Sequence, residues 1–183
     1  MKAIIYSLLI IMGFSNCAKK VNDFILKDVQ NIEGIRIGMP INEAVKILNK
    51  RHIVEKRQVR ILDDEPESSE YLVINGKKEK LFTFNGGHER KSKDNVFRIV
   101  ITSPKYTTPE GIKVGMNIKE LKEKTNIKSA DFNFQDGLYI FSGKFDGGFW
   151  IHTDPKKQYK FNYEKPLIKD IPEELKIKGI VIF

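Results

Sequence analysis

The chain has 183 residues, 40% of them hydrophobic, with 32 basic and 24 acidic side chains and a formal charge of +8 at neutral pH. That hydrophobic share suffices for a packed core and excludes a wholly disordered chain, while a single cysteine excludes an internal disulfide and leaves stability to burial. The positive charge favours an anionic partner such as phospholipid, lipopolysaccharide phosphate or an acidic protein. It does not favour nucleic acid, because the lysines are interspersed with acidic residues and form no clustered basic and aromatic platform.

The first element is a targeting segment. Met1-Lys2 is a basic tip, residues 3–14 are almost wholly apolar, and Phe14-Ser15-Asn16-Cys17 follows at once. The run is too short to span a bilayer and has the layout of a secretory signal. It resembles the signal of bacterial lipoproteins, in which the cysteine is acylated and then becomes the new N-terminus. The resemblance implies a signal peptide over residues 1–16, lipidation at Cys17, and a lipidated N-terminus and tether over 17–31. Phe14 and Asn16 stand where that signal usually carries Leu and Gly or Ala. Cleavage after Ser15, with Gly13 and Ser15 as the small pair, is the competing reading, and a buried thiol at Cys17 is a third. Removing residues 1–16 takes away one basic and no acidic side chain, so the charge falls from +8 to +7. Ala18-Lys19 lacks the Asp that retains many enterobacterial lipoproteins in the inner membrane, which points to the outer one.

Leu26 to Val29 suits either helix or strand, and strand is the preferred reading. An eleven-residue block then occurs twice: Gly34-Ile35-Arg36-Ile37-Gly38-Met39-Pro40-Ile41-Asn42-Glu43-Ala44 and Gly111-Ile112-Lys113-Val114-Gly115-Met116-Asn117-Ile118-Lys119-Glu120-Leu121 are identical at six positions. Such density within one chain signals duplication. Gly38 and Gly115 allow a sharp turn into a helix. Asn117 and Glu120 have capping-box spacing, whereas Pro40 suits a helix start without offering a side-chain cap. Ile41, Ala44, Val45 and Leu48, then Ile118 and Leu121, fall on one helical face. Met39 and Met116 are expected to fill the core.

Strands are expected after each helix. In the first half they are Tyr71 to Ile74 and Lys80 to Phe84 around the hairpin signal Asn75-Gly76, then Val96 to Thr102. In the second half they are Asp131 to Gln135, Leu138 to Ser142, Phe149 to His152 and a closing run from Ile177 to Phe183. The segment from Asp63 to Glu70, with Pro66, Ser68 and Ser69, is expected as a solvated loop.

The Ile-x-x-Gly-Met-x-x-x-Glu block with its helix and strands resembles the repeat of BamE-like (SmpA/OmlA) outer-membrane lipoproteins and of the beta-lactamase inhibitor protein, and the whole chain is similar to uncharacterised Gram-negative lipoproteins. The resemblance implies helix-plus-sheet modules that bind other proteins. The expected fold is therefore α+β, two tandem modules, each a helix packed on an antiparallel β-sheet, over residues 32–105 and 106–183.

Catalytic patterns are few. There is no G-x-S-x-G elbow, and His52, His88 and His152 lack a third partner at motif spacing. His152 with Asp154, or His88 with Glu89, would begin a site, but a strand-end polar residue accounts for His152 more simply. No enzymatic activity, cofactor or metal is expected. The functional expectation is a lipid-anchored envelope protein that binds a protein partner. Candidate contacts are Phe149 and Trp150, which alternation places on opposite faces of one strand, and the acidic residues Asp63, Asp64 and Glu65. An inhibitor or immunity-type lipoprotein that blocks an envelope enzyme is the alternative, followed by a cell-wall hydrolase or a ligand carrier.

Overall fold

The repeated block shows why the chain turns where it does. In both copies the two glycines adopt positive φ, 91° and 80° at Gly34 and Gly38, 76° and 94° at Gly111 and Gly115, a region closed to most side chains. The turn at Gly38 brings its N–H within 2.7 Å of the Val96 carbonyl, and Val96 N–H returns to Met39 O; Gly115 and Met116 make the matching pair with Ile177. Each block is thus tied to the start of a strand far along the chain. Helix α1 (Ile41–Leu48) starts at Pro40 with no side-chain cap, whereas α2 (Ile118–Lys124) carries a complete capping box between Asn117 and Glu120. Ala44, Leu48, Ile118 and Leu121 are buried, as is Met39; Met116 packs against the same core.

This is a computed structural model, which describes residues 31–59, 68–87, 94–133, 137–144, 146–154 and 156–183. The signal segment, Cys17, the strand expected at 26–29, Asp63, Asp64, Glu65 and His88 lie outside the described residues. The strands are β1 (Ile53–Val59), β2 (Ser68–Ile74), β3 (Lys80–Gly86), β4 (Val96–Ile101), β5 (Ser129–Asn133), β6 (Gly137–Phe141), β7 (Gly147–Ile151) and β8 (Ile177–Ile182). The end of the acidic segment is therefore strand, since Ser68, Ser69 and Glu70 open β2. Between β2 and β3 the chain turns over Asn75–Glu79. The Asn75 side-chain oxygen accepts the N–H groups of Lys77 and Glu79, so the loop does extend past Asn75-Gly76.

The expectation of two tandem helix-on-sheet modules is corrected by the structure. The eight strands form one antiparallel sheet in the order β1-β2-β3-β4-β8-β7-β6-β5, with two short α-helices among the described residues set against it. The halves join where β4 pairs with β8, through Ile99 with Ile182, Val100 with Val181 and Ile101 with Ile180. One row of paired residues crosses the whole sheet: Val54, Val73, Phe82, Ile101, Ile180, Phe149, Ile140 and Ala130. Every member belongs to, or packs on, a single hydrophobic cluster that also contains the buried faces of both helices. The reason is edge chemistry. β4 and β8 are rich in Ile and Val, and each would otherwise expose a row of unpaired backbone groups; pairing them removes both edges at once. The outer strands β1 and β5 carry Glu55, Lys56, Arg57 and Asp131, charges that suit a solvated edge.

A second link crosses the halves. Tyr106, fully buried between β4 and the second repeated block, donates from its hydroxyl to Glu33 Oε1 at 2.9 Å and sets its ring edge-on to Phe82. The Glu33 carboxylate also lies 3.5 Å from Arg51 Nη1 and 3.4 Å from His52 Nε2.

Candidate functional site

Because side chains alternate along a strand, residues beside the core row point to the other face, which carries no helix among the described residues; Leu81, at the irregularity between β2 and β3, is an exception and joins the core. On that face Trp150 sits opposite Gly179 on β8 and Tyr139 on β6, and Tyr139 sits opposite Asp131 on β5. Gly179 and Gly148 make the necessary room. A Cβ on Gly179 would stand 3.3 Å from Trp150 Cε3, and one on Gly148 would stand 2.9 Å from two atoms of the Phe141 ring. Phe141 uses that space to stack on Tyr139, with ring centroids 6.4 Å apart.

Cations are interleaved with these rings. The pairing of β7 and β8 skips a residue between Trp150 and Ile151, so that Lys178 falls at a bulge. Its Nζ lies 4.0 Å from the centre of the Trp150 ring, well within cation–π range. Arg98, from β4, donates through Nη2 to the Tyr139 hydroxyl at 2.6 Å and holds its guanidinium 6.0 Å from the rings of Tyr139 and Phe183. Arg98 and Tyr139 come from different halves of the chain, so this patch is assembled only when β4 pairs with β8. Tyr139 is buried, at 7% exposure, and so supports the patch without offering much surface; Trp150, Phe141 and Arg98 are half-buried, and Lys178 and Phe183 are exposed.

The structure separates the two aromatic candidates. Phe149 is 1% exposed and belongs to the core, which removes it as a surface contact, while Trp150 points to the helix-free face. His152 is exposed at the end of β7, and its N–H donates to the Lys176 carbonyl. The His52 ring lies beside the Glu33 carboxylate, a contact that sequence spacing does not show. Phe141 belongs to the aromatic crowding of the second half that the sequence shows, whereas Arg98, Tyr139 and Lys178 were missed. Alternation in Leu138-Tyr139-Ile140-Phe141 signalled that Tyr139 and Phe141 share a face, but nothing local joined Arg98 to them.

The patch offers flat rings and positive charge on a rigid sheet, a composition suited to contact with another surface. An open hollow of about 380 Å³ beside the end of α2 is lined by Lys122, Thr125, Asn126, Ile127 and Ile168, and so holds neither a carboxylate nor a histidine. Among the described residues no cluster of three or more His, Cys, Asp or Glu is placed to hold a metal, and no helix is long and apolar enough to cross a membrane.

No family model matches the chain, and no curated protein matches it. Among solved structures it is similar to the uncharacterized protein yfeY from Escherichia coli, with a TM-score of 0.55 and 12% sequence identity over 84% of this chain and 95% of that one. At that identity the likeness establishes the fold and nothing about activity.

Proposed function

We propose that the protein is a lipid-anchored cell-envelope protein that binds a protein partner through the helix-free face of its sheet, without catalysis. The observation that carries the reading is the cross-strand patch of Trp150, Phe141, Arg98 and Lys178, in which the buried Tyr139 accepts a hydrogen bond from Arg98. Tryptophan and arginine are among the residue types that dominate binding energy at protein interfaces. Rigid strands also present them with little conformational entropy left to lose. The signal-like start and Cys17 support an anchor, which would raise the local concentration of this face at a membrane, and the residues after Cys17 favour the outer membrane.

Crosslinked pull-down from the native envelope with quantitative mass spectrometry tests this, comparing wild type, Trp150→Ala and Cys17→Ser. A partner recovered with wild type and lost with Trp150→Ala, in a variant that keeps its circular dichroism, is the expected result. Equal recovery with both would remove the helix-free face from the proposal. Equal recovery with Cys17→Ser would remove the anchor.

A further inference from the structure

The long segment between β7 and β8 sorts its side chains strictly. Phe161 is buried, with Tyr159 and Tyr163 half-buried, while Lys156, Lys157, Lys160, Lys165 and Lys169 are all exposed. The aromatic side is locked in place. Phe161 contacts Phe132 of β5 at 6.1 Å between centroids, Tyr159 at 5.7 Å and Tyr163 at 4.8 Å, and Tyr163 meets Phe132 at 4.8 Å. The two tyrosine hydroxyls accept backbone N–H groups within the segment, from Asp154 at 2.8 Å and Tyr159 at 3.0 Å. A segment without regular strand or α-helix is thereby held in one shape.

Its outer side is cationic. Residues 156–169 hold five lysines against one glutamate, a net +4. The ion pairs between described residues involve none of the five. Of the acids close by in sequence, Asp154 accepts the Lys156 N–H, and Glu164 and Asp170 are exposed. Between Lys165 and Lys169 stands Leu167, 47% exposed.

We propose that this segment, residues 156–169, is a docking surface for an anionic phospholipid bilayer. Exposed lysines fixed on one side of a rigid loop attract a negatively charged leaflet. Leu167 supplies an apolar side chain to set among the headgroups, in the manner of interfacial binding by basic and apolar residues together. Nucleic acid fits less well, since the rings that would stack on bases are spent on one another and on Phe132. The contact belongs to the folded chain itself and is separate both from the acyl anchor and from the patch around Trp150.

The test is vesicle sedimentation of the full chain carrying Cys17→Ser, so that no acyl group contributes. Phosphatidylcholine vesicles with and without phosphatidylglycerol are compared, the neutral vesicles measuring any binding by the apolar residues 3–14. Partitioning is expected to require phosphatidylglycerol and to weaken with added salt as the screening length shortens. Each lysine near the surface is worth about fivefold in partitioning, so Lys160→Gln, Lys165→Gln and Lys169→Gln together lower it by up to roughly a hundredfold. Leu167→Ser should lower it further. Lys77→Gln, Lys78→Gln and Lys80→Gln, in and beside the β2–β3 turn, remove the same charge elsewhere and should have little effect. Equal binding to both vesicle types would overturn the proposal. So would an equal loss in the two triple variants, or tighter retention of a single-stranded oligonucleotide than of vesicles. Lipid binding that survives while the pull-down yields no partner would refute the protein-binding reading and leave this one standing.

Discussion

Phe82→Ala is the most direct probe of whether the chain is one cooperative unit. Phe82 lies in β3, is fully buried, packs edge-on against Tyr106 at 6.2 Å, and belongs to the row that crosses all eight strands. Truncating a core phenylalanine costs about 3–5 kcal/mol, from lost transfer free energy and the cavity left behind. For a chain of this size each kcal/mol moves the melting midpoint by about 2–4 °C, so the expected shift is roughly 6 to 20 °C. The readout lies in the other half: Trp150 is the only tryptophan and sits in β7. If β4 and β8 weld the halves into one folding unit, Trp150 fluorescence and far-ultraviolet circular dichroism must shift together by the whole amount. A Trp150 transition that stays at the wild-type midpoint while part of the dichroism melts early would refute the single-unit reasoning.

Three further outcomes follow from local geometry. Tyr106→Phe keeps the ring but removes the hydroxyl that donates to the Glu33 carboxylate. A hydrogen bond to a charged group is worth about 1.5–3 kcal/mol, which a lower urea midpoint at unchanged slope should report; a change no larger than a surface substitution would show that Arg51 and His52 suffice. Gly148→Ala should cost about 1–3 kcal/mol, because its new Cβ meets the Phe141 ring. The part of that cost due to the ring should disappear in a Phe141→Ala background, while the part due to the Ile140 carbonyl oxygen, 3.0 Å from the new Cβ, should stay; strict additivity would show that the ring is not an obstacle. The hydrogen bond from Lys122 holds the Glu173 carboxyl below the ordinary carboxylate range, aided by the charge of the same lysine. A depressed value means that Glu173 favours folding while the pH stays above that ordinary range, and that this help fades as the pH falls through its own lower value. Titration by NMR should find Glu173 moved upward in Lys122→Met; an unmoved titration would place the cause elsewhere.

Local features were legible because they depend on neighbours in sequence. Gly38 and Gly115 announced the turns, Asn117 and Glu120 the capping box, and Asn75 the hairpin. Alternation placed Phe149 and Trp150 on opposite faces, and burial of Phe149 chose which one the core took. β1 was missed. Its sequence Ile53-Val54-Glu55-Lys56-Arg57-Gln58-Val59 lacks clean alternation because an edge strand shows most of its surface to water, and only Val54 among its residues packs on the core.

By itself, then, the sequence determined a duplicated helix-entry block, the positions of most strands, and which neighbours in a strand such as Phe149 and Trp150 fall on opposite faces. The tertiary structure decided that β4 and β8 share an edge, and with it the single sheet, the single core and the meeting of Arg98 with Tyr139 across 41 positions. Inward and outward alternation is a property of one strand, and a sequence carries it plainly. Which two strand edges meet is settled by the free energy of leaving either one unpaired, and that depends on the whole chain folding at once.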